Sequence, residues 1–279
     1  MRRLLFVSLL ILASAAQASA DDPFQSSTFV EVHLDTFFAA VEGPGTFIVF
    51  DPGRDRLLVH NPDRSKQRFI PASTYKIPNS IIALETGVAD GPDFSLPWDS
   101  TRVKAGPYWP RSWKRDQTLR TAFQNSVFWY YQEIARRIGE DRMRQYLEKW
   151  EYGNRKLTPA IDTFWLYGDI RISPLEQVDF LVRLGNNELG ISERTGRILR
   201  EIMVLEEADT HVLRGKTGTA EVTPTRELGW LVGTVERGES TYYYALNMEG
   251  ERVWEEWPPQ KRKGLVVRLL RALDILPPM

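Results

Sequence analysis

Two short runs rich in β-branched and aromatic residues stand near the start of the chain, Gly45-Thr-Phe-Ile-Val-Phe50 and Arg56-Leu-Leu-Val-His60. The turn-forming Asp51-Pro-Gly-Arg-Asp55 between them predicts a hairpin. After Pro71 the apolar period lengthens, and Ser73 to Thr86 reads as a helix that stops near Gly87. Leu119 to Ile138 predicts one long helix closed by Gly139. Asp141 to Trp150 continues helical, with Met143, Tyr146, Leu147 and Trp150 on one face. Pro174 to Leu184 and Glu193 to Leu205 predict two more helices. Beyond Gly215 the pattern returns to strand, in Gly229 to Val235 and Thr241 to Asn247, around a turn at Gly238-Glu-Ser240. Gly264 to Ile275 makes a last amphipathic helix before Pro277.

Strands at both ends with helices between them predict an α/β domain made from residues 21–64 and 206–279. A mostly helical region, 65–205, is inserted into it, and the seam between the two is the natural place for a pocket. No internal repeat or low-complexity segment is visible.

The N-terminus changes the picture of where the chain works. Met1-Arg-Arg opens a basic segment, Leu4 to Ala16 is apolar, and Ala16-Gln-Ala18 and Ala18-Ser-Ala20 have the small-x-small form of a cleavage site. Residues 1–20 read as a secretory signal peptide, too short to span a membrane. The expectation is an exported bacterial protein, secreted to the periplasm, with no membrane span. The net charge of -1 and the lack of a long basic run argue against nucleic acid as a partner. No cysteine is present, which excludes disulfides, thiol nucleophiles and zinc–thiolate sites. Nine tryptophans supply aromatic mass for lining a pocket.

Candidate chemistry centres on Pro71-Ala-Ser-Thr-Tyr-Lys-Ile-Pro78. Ser73 and Lys76 are three apart at a helix start, so their side chains can touch. A serine hydroxyl needs a base, and a lysine desolvated by apolar walls becomes neutral and can serve as one. The helix start also aims free N–H groups at an anion. Further pieces follow in order: Ser126-Val-Phe128, Tyr152-Gly-Asn154, Phe164-Trp-Leu166, Lys216-Thr-Gly218 and Gly229-Trp230. Each alone is weak, and the order makes the set specific.

From about residue 25 to the C-terminus the chain resembles the serine penicillin-recognising enzymes, and most closely the class D β-lactamases (oxacillinases). Their pattern is S-T-[FY]-K, S-x-V, Y-G-N, F-W-L and K-T-G followed by G-W. The S-D-N triplet of class A is absent. The resemblance implies a penicillin-recognising fold, an antiparallel sheet flanked by N- and C-terminal helices with the helical region inserted. It implies β-lactam hydrolysis, hence antibiotic resistance, with Ser73 as the nucleophile that forms an acyl-enzyme. Lys76 would be carboxylated on its side-chain nitrogen by CO2 (N6-carboxylysine), needing bicarbonate but no other cofactor and no metal. Trp165 would hold that carbamate, and Ser126 with Lys216 would relay a proton to the leaving nitrogen. The backbone N–H groups of Ser73 and Thr219 would form the oxyanion hole. Thr217, Gly218 and Arg262 would bind the substrate, Arg262 gripping its carboxylate bidentately, with Trp109 and Leu166 shaping the pocket. The partner is then a small-molecule β-lactam, and the protein a monomer or homodimer. Ser126 also reads as a plain helix cap, and Arg262 as a surface charge between Lys261 and Lys263. One departure is Phe128 where the family has valine, a ring expected to face the Lys76 pocket.

Two other readings fail. Gly215-Lys216-Thr217 ends like a phosphate-binding loop, but Thr210 stands where that loop needs glycine. The histidines His33, His60 and His211 lack metal-site spacing. The remaining competitor is a β-lactam sensor domain, acylated without turnover. The leader and the end at Met279 favour the free enzyme over a sensor fused to membrane segments. A cell-wall D,D-peptidase would carry an anchor.

Overall fold

The computed structural model describes residues 24, 26–101, 103–106 and 109–278, and the expected leader, 1–20, lies outside them. The first part of the chain gives β1 (Thr28–Glu31), α1 (Asp35–Phe38), β2 (Gly45–Asp51), β3 (Arg56–His60) and α2 (Pro62–Lys66). The middle gives α3 (Lys76–Glu85), a small ribbon of β4 (Ser95–Leu96) and β5 (Gln117–Thr118), then α4 (Leu119–Gln124) and α5 (Phe128–Ile138). Four more helices follow: α6 (Glu140–Lys149), α7 (Phe164–Tyr167), α8 (Pro174–Gly185) and α9 (Glu193–Ile202). The last part gives β6 (Val204–Ala208), β7 (His211–Thr223), β8 (Arg226–Arg237), β9 (Ser240–Gly250), α10 (Val253–Glu256) and α11 (Pro259–Ala272).

Seven strands pair in the order β1-β3-β2-β9-β8-β7-β6, so both ends of the chain build one sheet. Its neighbours run antiparallel, except that the edge strand β1 lies parallel to β3. β2 is buried along its whole length, because both sheet faces are covered. On one face Val49, Leu231 and Leu246 pack with Leu265, Leu269 and Leu270 of α11. On the other, Ile48, Trp230 and Val232 share a core with Ile77 of α3, Trp165 of α7 and Val178 of α8. This second core is the one that carries the site.

The structure departs from the sequence pattern in four places. The single helix expected over Leu119 to Ile138 is two helices, α4 and α5, broken at Asn125-Ser-Val127. The break is a Schellman motif: Val127 N–H donates to Ala122 O at 2.8 Å and Ser126 N–H to Phe123 O at 3.1 Å. Apolar periodicity runs through it undisturbed, since Ala122, Phe123, Val127 and Tyr130 are all buried. The helix expected over Glu193 to Leu205 ends at Ile202, because Val204 and the residues after it pair with the edge of β7. β7 begins at His211, four residues before Gly215. The last helix begins at Pro259, where proline suits the first turn.

Gly153 in Tyr152-Gly-Asn154 has φ of +54°, and a Cβ there would collide with the Arg171 carbonyl oxygen. Gly87 has φ of +71° with open space around it. Gly87→Ala is expected to cost about 1 kcal/mol, the left-handed penalty alone. Gly153→Ala should cost about 3 kcal/mol, because backbone overlap adds to that penalty. Urea unfolding of both variants checks the difference.

Candidate active site

Ser73 sits in one 3-10 turn, Ala72–Tyr75, that runs straight into α3. The turn is held at several points. Thr74 Oγ1 donates to Pro71 O at 2.7 Å, and Gln177 Nε2 of α8 donates to Thr74 Oγ1 at 2.9 Å. Trp230 Nε1 of β8 donates to Ile70 O at 3.0 Å. Ala72, just before the serine, has φ of +50°. A non-glycine residue there costs about 1–2 kcal/mol, and the surrounding bonds must hold it in place.

Lys76 Nζ donates to Ser73 Oγ at 2.9 Å, as the three-residue spacing predicts. The lysine is 1% exposed, and its amine lies 5.3 Å from the centre of the Tyr131 ring. Burial pulls its pKa down to about 7. At neutral pH a far larger share of molecules therefore holds a neutral amine than the roughly one in 2,500 of an unperturbed lysine.

The second pair comes from two distant elements. Lys216, in the middle of β7, donates from Nζ to Ser126 Oγ and to Thr217 O, both at 3.1 Å. The same amine lies 5.7 Å from the Phe123 ring centre. Burial first, then the charges of Lys76 and Arg262, push its pKa well below the lysine range. Ser126 is not inside a helix. It occupies the left-handed position of the α4–α5 break at φ of +57°, which sets its hydroxyl beside the strand.

Trp165 is fully buried in α7, and its ring stacks on Tyr75 at 5.7 Å and 16°. Its indole Nε1–H has no hydrogen-bond partner among the described residues. A buried donor left unpaired costs about 1–3 kcal/mol, so the position calls for an acceptor. Leu166 is half-buried against the same core. Trp109 packs edge-on against Trp113 at 5.4 Å and Phe128 at 6.5 Å. The Phe128 ring is thus half-buried with Trp109, whereas the ring over the lysine amine belongs to Tyr131.

β7 approaches the Ser73 turn closely. A Cβ on Gly218 would lie 3.0 Å from Pro71 O and 3.2 Å from Thr74 N, so this strand needs glycine there. Thr217 and Thr219, on either side, are half-buried.

Arg262 corrects two expectations. It is 2% exposed, so it is no surface charge. Its donors are also largely taken: Nε to Trp257 O at 2.8 Å, Nη1 to Gly218 O at 2.5 Å and to Trp230 O at 3.0 Å, Nη2 to Thr219 Oγ1 at 2.8 Å. Of five N–H groups one remains, and a bidentate grip on a carboxylate is not available. The guanidinium ties α11 to β7 and β8 and places positive charge under Thr219.

Several residues of the site were not picked out by motif spacing. Tyr131 and Phe123 supply the apolar lids over the two amines, and Gln177 braces the serine's turn. Phe123 stands three residues before Ser126, a weak signal at most, and Tyr131 and Gln177 left none.

These features place two serine–lysine contacts, Ser73 with Lys76 and Ser126 with Lys216, on a penicillin-recognising fold. The chain matches the penicillin binding protein transpeptidase domain over residues 45–268. It belongs to that family, and its similar relatives include class D β-lactamases. It is 39% identical to Beta-lactamase OXA-48 of Klebsiella pneumoniae over 214 residues, 76% of this chain and 78% of that one. It is 37% identical to Regulatory protein BlaR1 of Bacillus licheniformis over 230 residues, 82% of this chain but 37% of the longer relative. Two solved structures align well. The class D β-lactamase YbXI from Nostoc gives a TM-score of 0.80 at 36% identity, covering 88% of this chain and 100% of that one. The C-terminal domain of the Bacillus licheniformis BlaR penicillin-receptor gives 0.82 at 32% identity, covering 89% and 98%.

Arg262→Ala should lower stability by about 3 kcal/mol, since three buried carbonyl oxygens lose their donor. Lys263→Ala, which loses an ion pair with Glu206 at 2.6 Å, should lower it by less than about 1 kcal/mol. Urea unfolding of the two variants tests this, and equal small effects would return Arg262 to a surface-charge role.

Proposed function

We propose that this chain hydrolyses β-lactams through an acyl-enzyme on Ser73. The reading rests on one observation: Lys76 Nζ stands 2.9 Å from Ser73 Oγ in a pocket that brings its pKa to about 7. Neutral Lys76 accepts the hydroxyl proton as Ser73 Oγ attacks the lactam carbonyl carbon. The N–H groups of Ser73 and Thr219 receive the oxyanion. As the ring C–N bond breaks, Ser126 gives its proton to the leaving nitrogen and regains one from the ammonium form of Lys216, 3.1 Å away, which its lowered pKa makes a ready acid. Water then releases the acyl group. Thr217 orients the substrate carboxylate, helped by the remaining N–H and the field of Arg262. Gly218 admits the substrate to the strand edge, and Leu166 and Trp109 shape the pocket walls.

CO2 bound to Lys76 as a carbamate would supply an anionic general base for both steps. The unpaired Trp165 Nε1–H fits such a group. Tyr131 and the apolar walls keep the amine neutral enough to react with CO2. Export to the periplasm, with removal of residues 1–20, completes the proposal.

A second reading has a specific basis, the likeness to the BlaR penicillin-receptor. On that reading Ser73 is acylated and the adduct persists.

One set of assays separates the two. The mature chain is expected to turn over a chromogenic cephalosporin steadily, whereas a receptor would give a single stoichiometric burst. A penicillin pulse should add one adduct to the Ser73 peptide by intact mass, and none in Ser73→Ala. An adduct surviving that substitution would remove Ser73 from its role. Protonating a carbamate nitrogen releases CO2, so degassed, mildly acidic buffer should lower turnover and bicarbonate should restore it. Trp165→Ala should slow deacylation more than acylation and let the acyl-enzyme accumulate. Turnover indifferent to bicarbonate, in protein shown to have lost its carbamate, would mean that Lys76 acts as a plain amine.

A further inference from the structure

A cleft of about 350 Å³ opens beside the Ser126–Lys216 pair, within the size range of ligand pockets. Ser126, Lys216 and Thr217 form its inner wall, while Ser73, Lys76, Trp165 and Leu166 do not line it. One side is apolar, from Phe123, Ile202, Val204 and Leu205. The rim is polar, from Gln260 and Lys263. We propose that this cleft is a subsite for the substituent carried on the leaving-nitrogen half of a β-lactam, and that it takes a neutral heteroaryl group.

The inference deepens the acyl-transfer reading and rests on it. Bond breaking fixes the orientation of the substrate. Its carbonyl carbon must face Ser73, and its nitrogen must face Ser126 and Lys216, which supply the proton. Whatever the nitrogen-containing ring carries beyond that point leaves in the direction of Ser126 and Lys216, where the cleft begins. The acylamino side chain sits on the other side of the scissile bond and has no route into it. In cephalosporins the outward substituent on that ring is the group at C3.

The lining sets the chemistry of the occupant. Phe123 and Ile202 are each 1% exposed, so Val204 and Leu205 present most of the apolar wall, which suits a flat ring. Lys263 is not a free charge, because Glu206 accepts from its Nζ at 2.6 Å and the carboxylate lies 3.4 Å from His211 Nε2. The ion pair holds the lysine at the rim and largely cancels its field, so the rim offers hydrogen-bond donors without a demand for an anion. A ring with nitrogen acceptors matches both wall and rim. The cleft is also built from four parts of the chain, namely the α4–α5 break, the end of α9, β6 with β7, and the start of α11. The unexpected strand β6 supplies much of the apolar side.

The test uses two cephalosporins with the same acylamino side chain, one with methyl at C3 and one with a pyridylvinyl group that is not expelled. Second-order acylation rates of Ser73, followed by stopped flow and intact mass, apply to a hydrolase and to a receptor alike. Wild type should acylate with the pyridylvinyl compound about tenfold faster than with the methyl compound. Gln260→Trp, at an exposed position where folding is safe, and Leu205→Trp, which fills the apolar side, should each erase that preference. If Leu205→Trp does not fold, Gln260→Trp decides. Equal rates for the two compounds in wild type, or a preference that survives Gln260→Trp, would overturn the subsite while leaving Ser73 acylation intact. No adduct with either compound would overturn the acyl-transfer reading and the subsite with it.

Discussion

Two lysines share one dry space in this fold, and the rest of the molecule answers to that constraint. Lys76 and Lys216 are 1% and 3% exposed, and among the described residues neither makes an ion pair. A buried ammonium without a counter-ion is costly, so both groups are driven towards the neutral amine. The same burial weighs on folding. The unfolded chain binds a proton on Lys76 up to the ordinary lysine range, whereas the folded chain releases it near 7. Stability therefore falls as pH drops through that interval and stays low below it. Under the proposed function, stability is given up here for a base, as is common where activity needs a perturbed group. Because each charge disfavours the other, a proton held by one lysine loosens the proton on its neighbour. That coupling suits a sequence in which one amine accepts and the other donates.

Holding two such groups a few ångströms from two serines takes a rigid frame. The sheet draws strands from both ends of the chain and presents β7 as the inner edge of the site. The helical part brings Ser73 and Lys76 on one turn and Ser126 on a break between helices. Ties cross the gap at Ile70 to Trp230, Thr74 to Gln177, and Gly218 against Pro71. Arg262 locks the strands from the other face through three carbonyl oxygens and Thr219. The same arrangement sets two residues in left-handed conformation, Ala72, which precedes Ser73, and Ser126 itself.

Short motifs carried most of the site because helix and strand periods turn spacing into contact. Ser73 and Lys76 touch as their separation requires, Ser126 and Lys216, grouped by the family resemblance, lie 3.1 Å apart, and Trp165 stacks on Tyr75 of the Ser73 turn. The hairpin of β2 and β3 and the strands β8 and β9 were equally plain, since turn residues bracket β-rich runs. What the sequence hid has a common cause. The break at Ser126 keeps the apolar spacing of an unbroken helix, so only backbone hydrogen bonds reveal it. Val204 and Leu205 continue a helical pattern, and their pairing with β7 depends on a strand edge far from local view. Arg262 sits among Lys261 and Lys263 in the sequence, and only the folded chain shows that its donors point inward to carbonyl groups. Phe128 was expected over the lysine, but the helix start turns it towards Trp109 and gives that place to Tyr131.

For Ser73 to lose its proton as proposed, Lys76 must be a desolvated amine that gives up its own proton near neutral pH. Lysine labelled with 13C at Cε, in protein held free of CO2, reports this directly through the pH dependence of its chemical shift. The Lys76 resonance is identified by its loss in Lys76→Met. A midpoint near 7 is the expected result. A midpoint above about 10, the range of an ordinary lysine, would contradict the account, because Ser73 would then lie beside an ammonium ion and no base.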